Sequence, residues 1–336
     1  MTARQRRSFV ALAAAVLTAG FLTACGSETP SASPQKVTVV LDWTPNTNHS
    51  GVYLAKRDGL YATAGLDVEI IEPDEGGGLP QLAAGRAQFA FSYAEQLLPA
   101  RAQGTPVVSI ATVLTTNTSS LVAPADRAIH RPRDLVGKTY GTFGGQIERP
   151  LIEALVRCDG GDPTKVKFLD VGNADYRVGF RKHAYDVVWV FDGWDVIRLR
   201  DIEHMAVTTI PFRDYLRCIP DWYTPIITTT ERLARDRPDL VRSFLSATAE
   251  GYRRAAADPQ AAADALDAAV PESDRALVRA SAAFLAPFYA TAPHAWGVQD
   301  PRVWARFDTF LRDNKILTGG PPVTTAFTND FLPSGP

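Results

Sequence analysis

Three stretches of this 336-residue chain set aromatic and acidic side chains side by side at the end of an apolar run. Asp42-Trp43 closes KVTVVL, with Asn46, Asn48 and His49 just beyond; Ser92-Tyr93-Ala94-Glu95 closes AQFAF; and Trp189-Val190-Phe191-Asp192-Gly193-Trp194-Asp195 closes YDVV. An indole stacks on a flat ring, and a carboxylate accepts from ring-borne N–H groups in a charge-assisted bond. In an α/β sheet, ligands sit beyond the carboxyl ends of the strands, where these residues fall. The chemistry they suggest is noncovalent. A small planar nitrogen heterocycle would stack against Trp43 and Trp194, with Asp42, Asp195 and Glu95 reading its N–H groups and Tyr93 forming a wall. Asn48, His49 and Asp192 join the same candidate set, and Tyr223, in Trp222-Tyr223-Thr224, adds aromatic surface.

Each group also has a purely structural reading. Asp42 or Asn46 can cap a helix while Trp43 packs in a core, and Glu95 can sit at the positive end of its own helix. Asp192 and Asp195, three apart, can cap one turn. A fourth candidate, Gly144-Gly145-Gln146 in GTFGGQIE, places backbone N–H groups at a helix start, suited to an anion or a carbonyl or simply to a tight turn. It lacks the Lys-Ser/Thr ending of a P-loop and the GxGxxG spacing of a dinucleotide site.

No Gly-x-Ser-x-Gly elbow occurs, and nothing in the sequence cues a Ser–His–Asp set. The five histidines, at 49, 130, 183, 204 and 294, are never spaced as ligand pairs. We therefore expect no enzyme activity, no metal and no cofactor.

The elements that must position these residues alternate between strand-like and helix-like patterns, as in α/β proteins. Strands are expected at Val37–Leu41, Leu66–Ile71, Gln88–Ser92, Val107–Leu114, Ser120–Ala123, Thr139–Thr142, Val166–Leu169, Asp186–Val190 and Pro225–Thr229. Helices are expected at Ser50–Thr63, Leu79–Ala84, Ala94–Gln103, Glu148–Cys158 and Tyr176–Arg181. A mostly helical tail follows: Glu231–Arg235, Pro238–Ala257, Pro259–Ala269, Glu272–Ala286 and Pro301–Asn314. The charged, Pro-containing Asp126–Gly137 reads as the crossover between two lobes. The expected division is a first lobe over 36–124, a second over 125–222, and a return into the first over 223–336, with the ligand cleft between lobes.

The start of the chain has a different logic. Arg4, Arg6 and Arg7 precede an Ala-rich apolar run from Phe9 to Phe21, too short for a comfortable span and read as a secretory signal over 1–24. Leu22-Thr23-Ala24-Cys25 resembles the bacterial lipobox, which implies lipidation of Cys25; residues 25–35 then read as a flexible tether. Removing those three arginines from a formal net charge of −2 leaves −5, which argues against a nucleic-acid surface. Cys158 and Cys218 can form a disulfide in an exported protein, but sequence alone does not establish it.

A family resemblance completes the reading. Leu41-Asp42-Trp43, Pro45-Asn46, Asn48-His49, Gly51, Tyr53, Ala55, Gly59, Tyr61 and Gly65-Leu66-Asp67-Val68 resemble the opening of the ABC-importer substrate-binding proteins for thiamine pyrimidine precursors. Gly137-Lys138-Thr139-Tyr140-Gly141, Gly144, Ile147-Glu148, Gly193-Trp194, Tyr223-Thr224-Pro225, Phe244-Leu245, Ala247-Thr248 and Phe327-Thr328-Asn329-Asp330-Phe331-Leu332 extend it along the chain. The resemblance implies a two-lobed, periplasmic-binding-protein-like type II fold. It also implies a monomeric, lipid-anchored extracytoplasmic receptor that delivers formylaminopyrimidine or hydroxymethylpyrimidine to a membrane permease. Asp195 stands where family members often carry Glu, which shortens its reach. Riboflavin is the alternative ligand. The pyrimidine synthases of thiamine biosynthesis share the opening, but Ser92 and Gln96 stand where they are aligned to carry a cofactor-binding Lys and a pyrimidine-donating His.

Overall fold

A computed structural model describes residues 33–74, 77–172, 174–290 and 295–333. The signal segment over 1–24, Cys25 and nearly all of the tether lie outside the described residues. Two five-stranded sheets organise the rest. The first has the order β2-β1-β3-β10-β4, built from β1 Gln35–Val40, β2 Leu66–Ile71, β3 Phe89–Ser92, β4 Val107–Thr112 and β10 Ile226–Thr230. The second has the order β7-β6-β8-β5-β9, from β5 Ser119–Pro124, β6 Thr139–Thr142, β7 Lys167–Asp170, β8 Val187–Phe191 and β9 Val207–Pro211. In each, four strands share one direction and the fifth (β10 or β5) runs antiparallel between two of them. Helices cover both faces of the first sheet, so its strands read as near-continuous apolar runs. Val37 and Val39 of β1 face one core cluster, and Val40 faces the other.

The sheet assignment corrects two expectations. β5 pairs with β8 and β9, so Ser119–Pro124 belongs to the second lobe, and the chain crosses between Thr112 and Ser119 rather than within Asp126–Gly137. Val113 and Leu114 continue the apolar run of β4 into the crossing, and the polar Thr115, Thr116, Asn117 and Thr118 follow, the last two buried. The charged segment after it forms short turns anchored by the buried Ile129, Pro132 and Leu135 instead. β9 went unread because its residues are only half-buried at the sheet's edge. Ser50–Thr63 is also two helices, α1 Ser50–Arg57 and α2 Leu60–Thr63, broken at Gly59, which takes a left-handed φ of 70°.

The order of the remaining helices is α3 Gly78–Ala83, α4 Ala94–Ala102, α5 Glu148–Cys158, α6 Tyr176–Arg181, α7 Glu231–Asp236, α8 Pro238–Ala257, α9 Pro259–Ala269, α10 Arg275–Tyr289 and α11 Pro301–Asp313. Helix α10 begins three residues later than expected because Asp274 caps it, accepting from Ala276 N and Leu277 N. Helices α1 and α8 meet glycine to glycine. A Cβ on Gly251 would lie 2.1 Å from Gly51 O, and one on Gly51 would lie 2.2 Å from the Tyr252 ring. That close approach brings the Tyr252 hydroxyl to Asn48 O at 2.6 Å, behind the Asp42 turn.

One apolar cluster runs through both lobes. At the return crossing, Trp222 stacks on Phe307 at 5.4 Å and meets Trp189 of β8 edge-on at 5.7 Å. Asp221 ties the two crossings together, accepting from Thr116 Oγ1 at 2.7 Å, Asn117 N at 3.0 Å and Trp222 N at 2.9 Å. A disulfide joins Cys158, at the end of α5, to Cys218, closing the pairing that sequence left open.

Candidate functional site

The turn after β1 is built by a reciprocal cap. The Asn46 side chain accepts from Asn48 N at 2.9 Å, and His49 Nδ1 accepts from Asn46 N at 3.1 Å. Because Nδ1 accepts, the ring proton sits on Nε2, and it is donated to Asp42 Oδ1 at 2.6 Å. His49 is fully buried, its ring edge-on to Phe91 at 4.8 Å. The Tyr93 hydroxyl, from the residue before α4, also bonds Asp42. Burial first, then the Asp42 charge and that bond, push its phenol well above the ordinary tyrosine range. Asp42 is thus a fixed acceptor fed by two internal donors, its side chain 5% exposed. Trp43 beside it is 55% exposed, the largest side chain that the described residues leave so open to solvent.

Glu95, in the first turn of α4, completes this cluster. Burial, reinforced by the Asp42 charge, lifts its carboxyl to about 8, so at neutral pH it is chiefly a neutral acid and a hydrogen-bond donor. The Trp222 indole approaches closely enough to favour the charged form without a well-aligned bond, and Glu95 Oε2 is buried with no partner among the described residues. The strand ends of the first sheet therefore combine a carboxylate acceptor, an acid, a phenol and a bare indole. That set can bind a flat polar ring, and it contains no activated nucleophile.

The second lobe's candidates are engaged differently. Asp195 accepts from the Tyr176 hydroxyl and from Phe191 N, both at 3.1 Å, which matches the capping alternative more closely than a free ligand contact. Asp192 is buried and accepts from Arg213 at 2.9 Å. Burial raises both carboxyls above the usual range. Trp194 does not stand free opposite Trp43. It is half-buried against Ala263, Leu266, Val278 and Ala282 of α9 and α10, with the Arg198 guanidinium 5.6 Å from its ring.

Three other candidates are engaged within the protein. Tyr223 is 4% exposed and packs against Trp304, its hydroxyl accepting from Asp300 N at 2.8 Å, so its ring belongs to the core. Gly144, Gly145 and Gln146 are exposed, but their loop is closed from within. Glu148 accepts from Gly145 N at 2.7 Å, Phe143 N at 3.1 Å and the Tyr140 hydroxyl at 2.7 Å, and Gly144 N donates to Thr142 Oγ1. A carboxylate already sits where an anion would bind. Asn48 contributes backbone bonds to Asn46 and Tyr252; no ligand-facing role follows from them.

Sequence reasoning missed Tyr252, whose hydroxyl braces Asn48 O in the turn after Asp42, and the approach of the Trp222 indole to Glu95. Both residues come from distant elements, and no local spacing announces them. Among the described residues, no group of three His, Cys, Asp or Glu could hold a metal ion, and no helix is long and apolar enough to cross a membrane. Two surface cavities, of about 230 Å³ around Arg131, Asp159 and Tyr215 and about 300 Å³ around Gly65 and Pro238, are lined by none of the candidate residues.

The chain is 28% identical to a formylaminopyrimidine-binding protein of Halalkalibacterium halodurans, over 73% of this chain and 74% of that protein. It is 26% identical to a 4-amino-5-hydroxymethyl-2-methylpyrimidine phosphate synthase of Legionella pneumophila (91% and 95% covered). It is 27% identical to the riboflavin-binding protein RibY of Chloroflexus aurantiacus (95% and 98% covered). The alkanesulfonate-binding protein SsuA from Xanthomonas axonopodis pv. citri superposes with a TM-score of 0.68 at 16% identity, over 88% of this chain and 99% of that one. The aliphatic sulphonate-binding SsuA of Escherichia coli gives 0.69 at 14% identity, over 90% and 95%. The fold is therefore that of periplasmic binding proteins. A family described as NMT1/THI5 like matches residues 46–262, well over half of the chain, and the protein belongs to that family.

Proposed function

We propose that this protein is the extracytoplasmic solute receptor of an ABC importer and captures a thiamine pyrimidine precursor of the formylaminopyrimidine or hydroxymethylpyrimidine type. The observation that carries the reading is Trp43: an indole 55% exposed beside a carboxylate held rigid by His49 and Tyr93 at the end of β1. An exposed indole at a strand end supplies a stacking platform, and Asp42 with Glu95 supplies an acceptor and a donor for an amino-pyrimidine edge. The formylaminopyrimidine-binding relative supports that ligand class. Acidic groups at the strand ends disfavour the sulfonates taken by the structural neighbours, because a buried carboxylate repels an anion.

Riboflavin is the second reading, favoured by the riboflavin-binding relative matched along nearly its whole length. A pyrimidine synthase is disfavoured: Ser92 is buried within β3 and Gln96 is an amide, so neither supplies the amine or imidazole that the reaction is expected to use. The basic, apolar start and Cys25 support export and lipid anchoring, with a membrane permease as partner. A thermal-shift screen against hydroxymethylpyrimidine, formylaminopyrimidine, thiamine, riboflavin and taurine tests the reading. Stabilisation by a pyrimidine and none by taurine is expected; stabilisation by taurine alone would refute it.

A further inference from the structure

Gly193, the residue between Asp192 and Trp194, touches the first lobe through a chain of hydroxyls. Ser281 of α10 donates to Gly193 O, and its oxygen pairs with Thr47 Oγ1. A serine has one hydroxyl proton, and here it goes to Gly193. Thr47 must therefore donate to Ser281, which gives the chain a single direction, Thr47 to Ser281 to Gly193. Both hydroxyl residues are fully buried, so neither has water as a substitute partner. The Thr47 carbonyl is held as well, accepting from the Tyr289 hydroxyl at 2.6 Å.

Two further observations show that this contact is built closely. A Cβ on Gly193 would lie 2.8 Å from Leu285 Cδ2 and 3.1 Å from Phe284 Cδ1, so any larger residue would have to displace the Leu285 side chain of α10. The next residue, Trp194, lays its ring on α9 and α10. The contact also stands beside the crossing, where Asp192 N donates to Thr118 O at 2.9 Å and Thr115 N to Phe288 O at 2.8 Å. Rotation of the second lobe about that crossing would carry Gly193 along α10 and break the chain. At its other end, Thr47 opens the Thr47–His49 turn, whose imidazole holds Asp42.

We infer that Ser281 is a positioning residue that couples the Asp192–Val196 segment of the second lobe to the turn carrying His49 and Asp42. The two lobes' strand-end segments then shift together rather than independently, whichever ligand the cleft takes. Contiguity alone does not establish coupling; an effect at a segment the mutated residue does not touch does.

Hydrogen–deuterium exchange on the full-length, ligand-free protein provides that test. In Ser281→Ala, amides of both Thr47–His49 and Asp192–Val196 should exchange at least about tenfold faster, with β1 and β3 unchanged, and Ser281→Thr should restore protection. Thr47→Val, which leaves Ser281 in place, should still accelerate exchange at Asp192–Val196. Unchanged protection there in Thr47→Val, or a uniform rise that includes β1 and β3, would reduce Ser281 to a packing residue and overturn the inference. Should Ser281→Ala fail to fold, Thr47→Val decides alone. No ligand enters the experiment, so its outcome is separate from that of the ligand screen.

Discussion

Asp42 and Trp43 are adjacent in sequence and face opposite environments: Asp42 is turned inward, bonded to the buried His49 at 2.6 Å, while Trp43 is 55% exposed. Substituting Trp43 should therefore affect binding with little change in stability, whereas substituting Asp42 should affect stability as well. Trp43→Ala removes a half-exposed ring and should change stability by no more than about 0.5 kcal/mol, as surface changes usually do. It should weaken ligand binding by roughly tenfold or more. Asp42→Ala strands two buried donors, His49 Nε2 and the Tyr93 hydroxyl, at about 1–3 kcal/mol each. Urea denaturation of both variants checks the contrast. Equal stability losses would contradict it.

Glu95 should leave a signature in the pH dependence of stability. Its folded-state carboxyl lies near 8 against 4.5 for the ordinary group, so between those values the unfolded chain releases a proton that the folded chain keeps. The contribution of Glu95 to stability is therefore full below about pH 4.5, falls by up to about 1.4 kcal/mol per pH unit as pH rises, and levels off above about pH 8. Glu95→Gln should flatten that decline. Melting temperatures of the two proteins between pH 5 and 9 should converge at the acid end, with the variant the more stable at the alkaline end.

The Cys158–Cys218 bridge closes a loop of 60 residues in the second lobe. Loop-closure entropy puts its contribution on the order of 4 kcal/mol. Reductant, or the double variant Cys158→Ser with Cys218→Ser, should lower the melting temperature by several degrees. Identical melting of reduced and oxidised protein would contradict the expectation.

Glu148 should act as the internal anion of the Gly144–Gly145 loop. Glu148→Ala leaves Gly145 N, Phe143 N and the Tyr140 hydroxyl without their acceptor and should cost at least about 2 kcal/mol, measured by denaturant unfolding. A chloride- or phosphate-dependent recovery of stability in the variant would show the vacated amides accepting an external anion.

Much of the fold was legible because its signals are local. Leu66–Ile71, Thr139–Thr142, Glu148–Cys158, Tyr176–Arg181, Pro238–Ala257 and Pro259–Ala269 fall where apolar periodicity, Pro at a first helical position and Asp caps place them. The site was legible only in part. Asp42, Trp43, Tyr93 and Glu95 lie together because each follows the end of a neighbouring strand in one sheet, a consequence of topology that the strand pattern carries. Whether an aromatic residue at a strand end faces a cleft or a helix is settled by partners far along the chain. Trp194 was drawn to α9 and α10, and Tyr223 to Trp304, by contacts that no spacing encodes. The crossing at 113–118 was missed because Val113 and Leu114 prolong the apolar run of β4 and the polar residues after them lead straight into β5.

The most direct measurement is calorimetric titration of hydroxymethylpyrimidine into the wild-type protein and into Trp43→Ala, each with its melting temperature recorded. Saturable binding by the wild type, weakened at least about tenfold in a variant that melts within a degree or two of it, is the expected result. Undiminished affinity in a folded Trp43→Ala, or no pyrimidine binding by the wild type alongside tight binding of taurine, would contradict the assignment of this strand-end cluster as a heterocycle site.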